Sequence, residues 1–164
     1  MKVFGITGWK NSGKTGLMER VVAEVIARGI TVSTIKHAHH DFDVDQAGTD
    51  SFRHRAAGAQ EVLLTSGQRW ALMHELRGGP EMTLDAALAK LSPVDLVLVE
   101  GFKREAHPKI QCHRDEAGQG FNAGEIPNVV AIARDGRVET ALPQFDLNDT
   151  PAIVDFLLDQ VGLR

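Results

Sequence analysis

Eight residues near the start of the chain carry the most specific chemistry. Gly8-Trp9-Lys10-Asn11-Ser12-Gly13-Lys14-Thr15 matches GxxxxGK[ST] at every fixed position. Glycine lets the backbone turn so that successive N–H groups point at phosphate oxygens. A helix opening near Gly13, with Gly16 in its first turn, adds the positive end of its dipole. Lys14 is placed to reach the β- and γ-phosphates, and the Thr15 hydroxyl to ligate Mg²⁺. With glycine near 7% of average composition, a chance match in a chain of this length has odds of roughly one in a few hundred. An apolar run, Val3-Phe4-Gly5-Ile6, precedes the loop and an amphipathic stretch follows it, as a P-loop requires. The expected ligand is a nucleoside triphosphate.

A P-loop site also needs an acid near the metal. In Asp95-Leu96-Val97-Leu98-Val99-Glu100-Gly101 the apolar run reads as a strand, and Glu100 emerges at its carboxyl end. Ligands bind at that end in open α/β sheets. Glu100 is therefore placed to hold Mg²⁺ through water or to polarise an attacking water, the one catalytic role the residues offer. Asp95, at the other end, reads as a cap on strand entry. The polar stretch from Lys36 to Asp45 lies where P-loop proteins place a segment that senses the γ-phosphate. Lys36, His37 and His40 can meet phosphate or a second anion there, and Asp43, Asp45 and Asp50 the Mg²⁺ shell. His37, His39 and His40 also raise a transition-metal site, against the plainer reading of a solvated loop. Arg53, His54 and Arg55 offer cations to an anionic ligand or form a solvated helix face. Trp9 and Trp70 can shield a ligand, but packing is the default for both.

Base choice stays open at this level. Asn-Lys-x-Asp is absent. Asp135 follows a late apolar strand, where an aspartate can accept from guanine N–H groups, but an ordinary Asp-Gly turn residue is the reading the sequence favours.

These groups have to be held by buried strands and amphipathic helices. Thr31 to Lys36 is rich in β-branched residues and Val129 to Ala133 is apolar, so both read as strands. Lys14 to Arg28 reads as a helix with Leu17, Val21, Val22, Val25 and Ile26 on its inner stripe. Ser51 to Ala57 and the segment carrying Leu84, Ala87, Leu88 and Leu91 read as shorter helices. The final helix has Thr150 as cap, Pro151 at its first position and Gly162 as its stop. Glu61 to Thr65 and Arg69 to Leu76 read as an antiparallel hairpin turning at Ser66-Gly67. Lys109 to His113 reads as an extended edge segment, and Asp115 to Glu125, with its glycines, as a mobile loop. The expected fold is α/β and P-loop NTPase-like: a mostly parallel sheet flanked by helices, with one antiparallel hairpin.

A chain of 164 residues fits a single nucleotide-binding domain over 1–164. The net charge of −4 argues against general binding to nucleic acid or anionic membrane. The lone Cys112 rules out an intrachain disulfide. No apolar run approaches the roughly 20 residues of a membrane helix, and Met1 to Gly8 reaches the glycine loop before a signal-peptide core develops. The expectation is a cytoplasmic protein.

Several motifs together resemble one family. They are the P-loop itself, Thr34-Ile35-Lys36-His37-Ala38-His39-His40, Phe42-Asp43-Val44-Asp45, Gly48-Thr49-Asp50-Ser51-Phe52-Arg53, and Val99-Glu100-Gly101-Phe102-Lys103. This set resembles the molybdopterin-guanine dinucleotide biosynthesis protein B (MobB) family, from Met1 to about Ile110 and more weakly in the last strand and helix. The resemblance implies a dimeric GTP-binding adaptor with weak Mg²⁺-dependent GTP hydrolysis at most. It would assist the MobA-like guanylyltransferase that joins GMP to molybdopterin, with molybdopterin or apo-molybdoenzymes as further partners. It implies Gly8 to Thr15 as the phosphate loop and Thr15 and Glu100 as the metal side. Lys36, His37, His40, Asp45, Asp50 and Arg53 fall in the signature segment as an anion or partner site. Thr49 stands where many relatives carry a basic residue. Two other functions compete: a GTP-dependent metallochaperone using His37, His39, His40 and Cys112-His113, and a small-molecule kinase. The kinase ranks last, because the segment before the Glu100 strand is short for a substrate lid.

Overall fold

Leu96-Val97-Leu98-Val99 is apolar on both faces, and both faces of that strand are covered. Leu96 and Leu98 point into a core shared with two helices, while Val97 and Val99 pack with Leu84, Leu88 and Leu91 on the opposite side. This period-two division is what a fully buried parallel strand requires.

The computed structural model describes residues 1–38, 42–117, 124–136 and 138–164. The elements run β1 (Lys2–Gly8), α1 (Lys14–Ala27), β2 (Val32–Lys36), α2 (Asp50–Ala56), β3 (Glu61–Thr65), β4 (Trp70–His74), α3 (Leu84–Leu88), β5 (Leu96–Glu100), β6 (Lys109–His113), β7 (Val129–Arg134), β8 (Gln144–Asp146) and α4 (Thr150–Val161). They fall into two compact units, Met1–His37 with Leu84–Arg164, and Ala38–Thr83.

The first unit is a six-stranded sheet in the order β2-β5-β1-β6-β7-β8. Every pairing is parallel. Phe4 and Ile6 from β1, Ile110 and Cys112 from β6, and Ala131 and Ala133 from β7 meet Leu17, Val21 and Val25 of α1 and Ile153, Val154 and Leu157 of α4. Ile26, expected on the inner stripe of α1, is exposed instead. It lies one residue past Val25, about 100° round the helix and off the i, i+4 line through Leu17, Val21 and Val25. Arg20 ties the two helices by donating to Thr150 Oγ1 at 3.0 Å and the Leu147 carbonyl at 2.7 Å. Asp149, rather than Thr150, caps α4 by accepting from the Ala152 N–H, and Gly162 ends it at φ 69°. Asp95 accepts from both the N–H and the hydroxyl of Thr31, fixing the entry to β2.

Two strand assignments differ from the sequence expectation. β8 is a strand of three residues, too short to show a pattern. β6 is interior: it lies between β1 and β7 and is buried from Lys109 to Cys112. Its alternating polar residues imitate an edge, but Lys109 is wholly buried with its ammonium satisfied. That group donates to the carbonyls of Glu105, His107 at 2.8 Å and Pro127 at 3.4 Å. The connection between β5 and β6 is thereby pinned. Gly5 is what leaves room, since a Cβ there would come within 2.7 Å of Lys109 Cγ and 2.8 Å of His107 Nε2.

The same corner makes stability depend on pH. Both ring nitrogens of His107 are buried without a hydrogen-bond partner. Burial, with the Lys109 charge adding to it, lowers its pKa from 6.5 to about 4. Between those values the unfolded chain binds a proton that the folded chain refuses. The contribution is intact above the unfolded value and is lost as pH falls toward about 4. Urea midpoints at about pH 7 and about pH 5 check this: wild type loses more on acidification than His107→Gln, and equal losses would contradict the assignment.

The second unit holds α2 and the β3–β4 antiparallel sheet, with Glu61 opposite His74 and Thr65 opposite Trp70. Thr49 caps α2 by accepting from the Phe52 N–H. Arg55 binds three carboxylates, Asp45 at 2.5 Å, Asp43 at 2.8 Å and Glu75 at 2.8 Å. It therefore joins α2, β4's exit and the Phe42–Asp45 segment, a structural role in place of the ligand contact or solvated face read from sequence. Val62 and Met73 are buried, whereas Leu63, Leu72 and Trp70 face outward. Of the glycine-bearing loop expected over 115–125, residues 118–123 lie outside the described set, and Asp115–Ala117 forms a 3-10 turn.

Candidate functional site

The carboxyl ends of β2, β5, β1 and β6 converge around the loop between β1 and α1. The loop needs unusual backbone: Gly8 has φ 146°, Asn11 63° and Gly13 89°. At Gly8 a Cβ would come within 2.5 Å of Ser12 Oγ and 2.6 Å of the Cys112 carbonyl, so no other residue fits. Helix α1 then starts at Lys14 with no side-chain cap and no acid in its first turn. Its leading N–H groups are left for a ligand, and their dipole favours an anion. Ser12 Oγ and Thr7 Oγ1 are buried without a protein partner. A cavity of about 350 Å³ opens here, lined by Asn11, Ser12, Gly13, Lys14, Thr15, Gly16 and Arg114. A cradle of uncapped amides, an orphan hydroxyl and a lysine fits a polyphosphate.

Lys14 donates to the Trp9 carbonyl at 2.5 Å. Its pKa is lowered first by burial and further by Lys103 and Lys36, while Cys112 and Glu100 oppose the shift. A second anion would relieve that strain on the ammonium. Glu100, at the end of β5, is 3.9 Å from Lys36 Nζ, and its side chain is mostly buried. His37, whose N–H donates to the Glu100 carbonyl, stacks on Phe102 with ring centroids 4.5 Å apart. Gly101, at φ 95°, makes that approach possible, because a Cβ would meet His37 Cβ at 2.6 Å. Lys103 lies 4.4 Å over the Trp9 ring. The structure thus gathers Lys14, Lys36, His37 and Glu100 at one edge of the sheet and adds Lys103 to them. Lys10 sits within the loop. Thr15 and Glu100 are the residues whose oxygens would hold Mg²⁺.

Asp135, after β7, accepts from the Asp115 N–H at 3.1 Å and faces Arg114 Nε at 4.0 Å. Asp45, Asp50 and Arg53 belong to the second unit: Asp45 is engaged by Arg55, Asp50 opens α2, and Arg53 is exposed on it. His39 and His40 lie outside the described residues. Among the described residues no group of three His, Cys, Asp or Glu side chains is arranged to hold a metal ion. Cys112 is a core residue whose thiol burial pushes up to about 12, which leaves it inert as a metal-binding thiolate. No helix among the described residues is long and apolar enough to cross a membrane.

The family model for molybdopterin guanine dinucleotide synthesis protein B matches residues 3–135. The chain belongs to the MobB family. It is 42% identical to the molybdopterin-guanine dinucleotide biosynthesis adapter protein of Haemophilus influenzae, over 94% of this chain and 86% of that protein. It is 38% identical to the Escherichia coli protein of the same description, over 96% and 91%. Among solved structures, a MobB homolog from Bacillus stearothermophilus matches with TM-score 0.73 and 30% identity over 100% of both chains. Bacillus subtilis MobB matches with TM-score 0.76 and 26% identity over 98% of each. These matches confirm the P-loop α/β fold for this MobB-family chain. Two site residues escaped sequence reasoning. Lys103 was visible only as part of a motif, and Arg114 follows a strand misread as an edge, so nothing pointed it at the loop.

Proposed function

We propose that this protein is a cytoplasmic GTP-binding adaptor that assists a guanylyltransferase in converting molybdopterin to molybdopterin guanine dinucleotide. The observation that carries the nucleotide half is the uncapped amino end of α1 facing Lys14 and an unpartnered Ser12 hydroxyl. The pathway half rests on family membership and on relatives described as adapter proteins. Thr15 and Glu100 would hold Mg²⁺, which would supply charge neutralisation at the terminal phosphates. Lys14, Lys36 and Lys103 outnumber Glu100 here, which favours a highly charged anion over a neutral substrate. The relatives' description as adapter proteins favours an adaptor over a kinase. The outward apolar residues Leu63, Trp70 and Leu72 on the hairpin support pairing with a second copy of the chain.

Titration with GTP and ATP in the presence of Mg²⁺ tests the nucleotide assignment, and pull-down of the guanylyltransferase with and without GTP tests the partner. GTP is expected to bind at least about tenfold more tightly than ATP, a margin of about 1.4 kcal/mol. ATP preference, or capture of no guanylyltransferase under either condition, would sink the reading.

A further inference from the structure

Among the described residues that line the phosphate cavity, Arg114 is the one cation that does not come from the P-loop itself. It follows β6, which lies on the opposite side of β1 from β5. The charges around Lys14 lie the other way: Glu100 and Lys103 follow or end β5, and Lys36 ends β2 beyond it. A triphosphate held by Lys14 therefore has its terminal phosphates on the β5 side and its nucleoside on the β6 side. There Arg114 presses on the loop. A Cβ at Gly13 would lie 2.9 Å from its Nε and 3.4 Å from its Cζ, so the guanidinium lies directly over the Gly13 backbone. Its Nε is buried and makes no hydrogen bond.

The corner beneath it is fixed. Asp135 faces Arg114 Nε with one carboxylate oxygen and accepts the Asp115 N–H with the other. The Asp115 carboxylate in turn fills the space beside Gly136, where any Cβ would collide with it. Asp135 is thus occupied in steering Arg114, and the residue it steers is the one that meets the cavity. A planar guanidinium held this way offers a face for stacking on a base, which an ammonium cannot.

We propose that Arg114 is a nucleoside-side binding residue, stacking on the base of the bound nucleotide, with Asp135 as its positioning residue. This rests on the nucleotide reading of the P-loop, and the test separates the two. Wild type, Arg114→Ala and Arg114→Lys are titrated with Mg²⁺-GTP and with inorganic tripolyphosphate, which carries the phosphates without a nucleoside. Thermal melts confirm that each variant is folded, and Arg114→Lys keeps the charge if the alanine variant is not. Both substitutions are expected to weaken GTP about tenfold and to leave tripolyphosphate within about twofold. Equal loss on both ligands, or rescue by lysine, would make Arg114 a phosphate cation and overturn the proposal. Unchanged GTP affinity would overturn it as well. Wild type that binds neither ligand would remove the nucleotide reading itself, whereas any of the preceding outcomes leaves that reading standing.

Discussion

Lys14→Ala weakens Mg²⁺-GTP binding by roughly a hundredfold, about 3 kcal/mol, while Glu100→Ala leaves affinity within about threefold and lowers Mg²⁺-dependent hydrolysis. The division follows from where each charge sits. Lys14 opens α1 inside the cavity, and burial is the largest influence on its pKa, acting against its charged form. Neighbouring Lys36 and Lys103 act in the same direction. Without ligand its ammonium has only the Trp9 carbonyl among the described contacts. A polyphosphate supplies charge-assisted partners in a site already shielded from water, so deleting the lysine removes an interaction at the strong end of the range. Glu100 carries the same sign as the phosphates. If Glu100 holds Mg²⁺ as proposed, its removal would forfeit a metal contact but also relieve repulsion, and the two effects would offset in binding. They would not offset in hydrolysis, where an acid near a metal can orient water. Calorimetric titration and phosphate release on both variants check the pair. Equal loss of affinity in both would contradict this assignment of roles.

The P-loop was legible because its requirement is on the backbone: φ values of 146° at Gly8 and 89° at Gly13 restrict which residues can stand there. β1, β5 and β7 were legible because strands covered on both faces read as apolar runs, and the edge strand β2 because of its β-branched residues. The hairpin was legible from two short apolar segments joined by a Ser-Gly turn. Reading failed where a polar residue finds its partner at a distance in the chain. Lys109 and Gln111 look like an edge until Glu105, His107 and Pro127 supply carbonyls that let a lysine be wholly buried. Arg55 looks like a solvated helix residue until Asp43, Asp45 and Glu75 close around it. Arg114 inherits the same blindness, since its place over Gly13 depends on β6 lying beside β1. Glu100 could be read because a strand end fixes its position, whatever the rest of the sheet does.

Lys109 is also where the largest loss of stability is expected. Lys109→Ala lowers the free energy of unfolding by about 3–5 kcal/mol, combining a cavity with carbonyls left without a donor. For a domain whose total is about 5–15 kcal/mol, that brings unfolding within reach of mild denaturant. Lys109→Met separates the two causes, because it nearly fills the volume but donates nothing. Burial lowers the Lys109 pKa, with Glu105 opposing, so the methionine also escapes the cost of desolvating a charge. Replacing a buried charge by an apolar side chain can be neutral when its partners are free to find water. Here the acceptors are backbone carbonyls of the β5–β6 connection and of the turn before β7, held around a wholly buried amine, and they cannot all reach solvent without unpinning the connection. The expected loss for methionine is therefore intermediate, about 1–3 kcal/mol. The segment released also carries Lys103 and its contact with Trp9, so GTP affinity falls in Lys109→Met even where the protein stays folded. Urea unfolding alongside nucleotide titration measures both. A methionine variant as stable as wild type would mean that packing alone holds the connection, and the drop in affinity would then vanish with it.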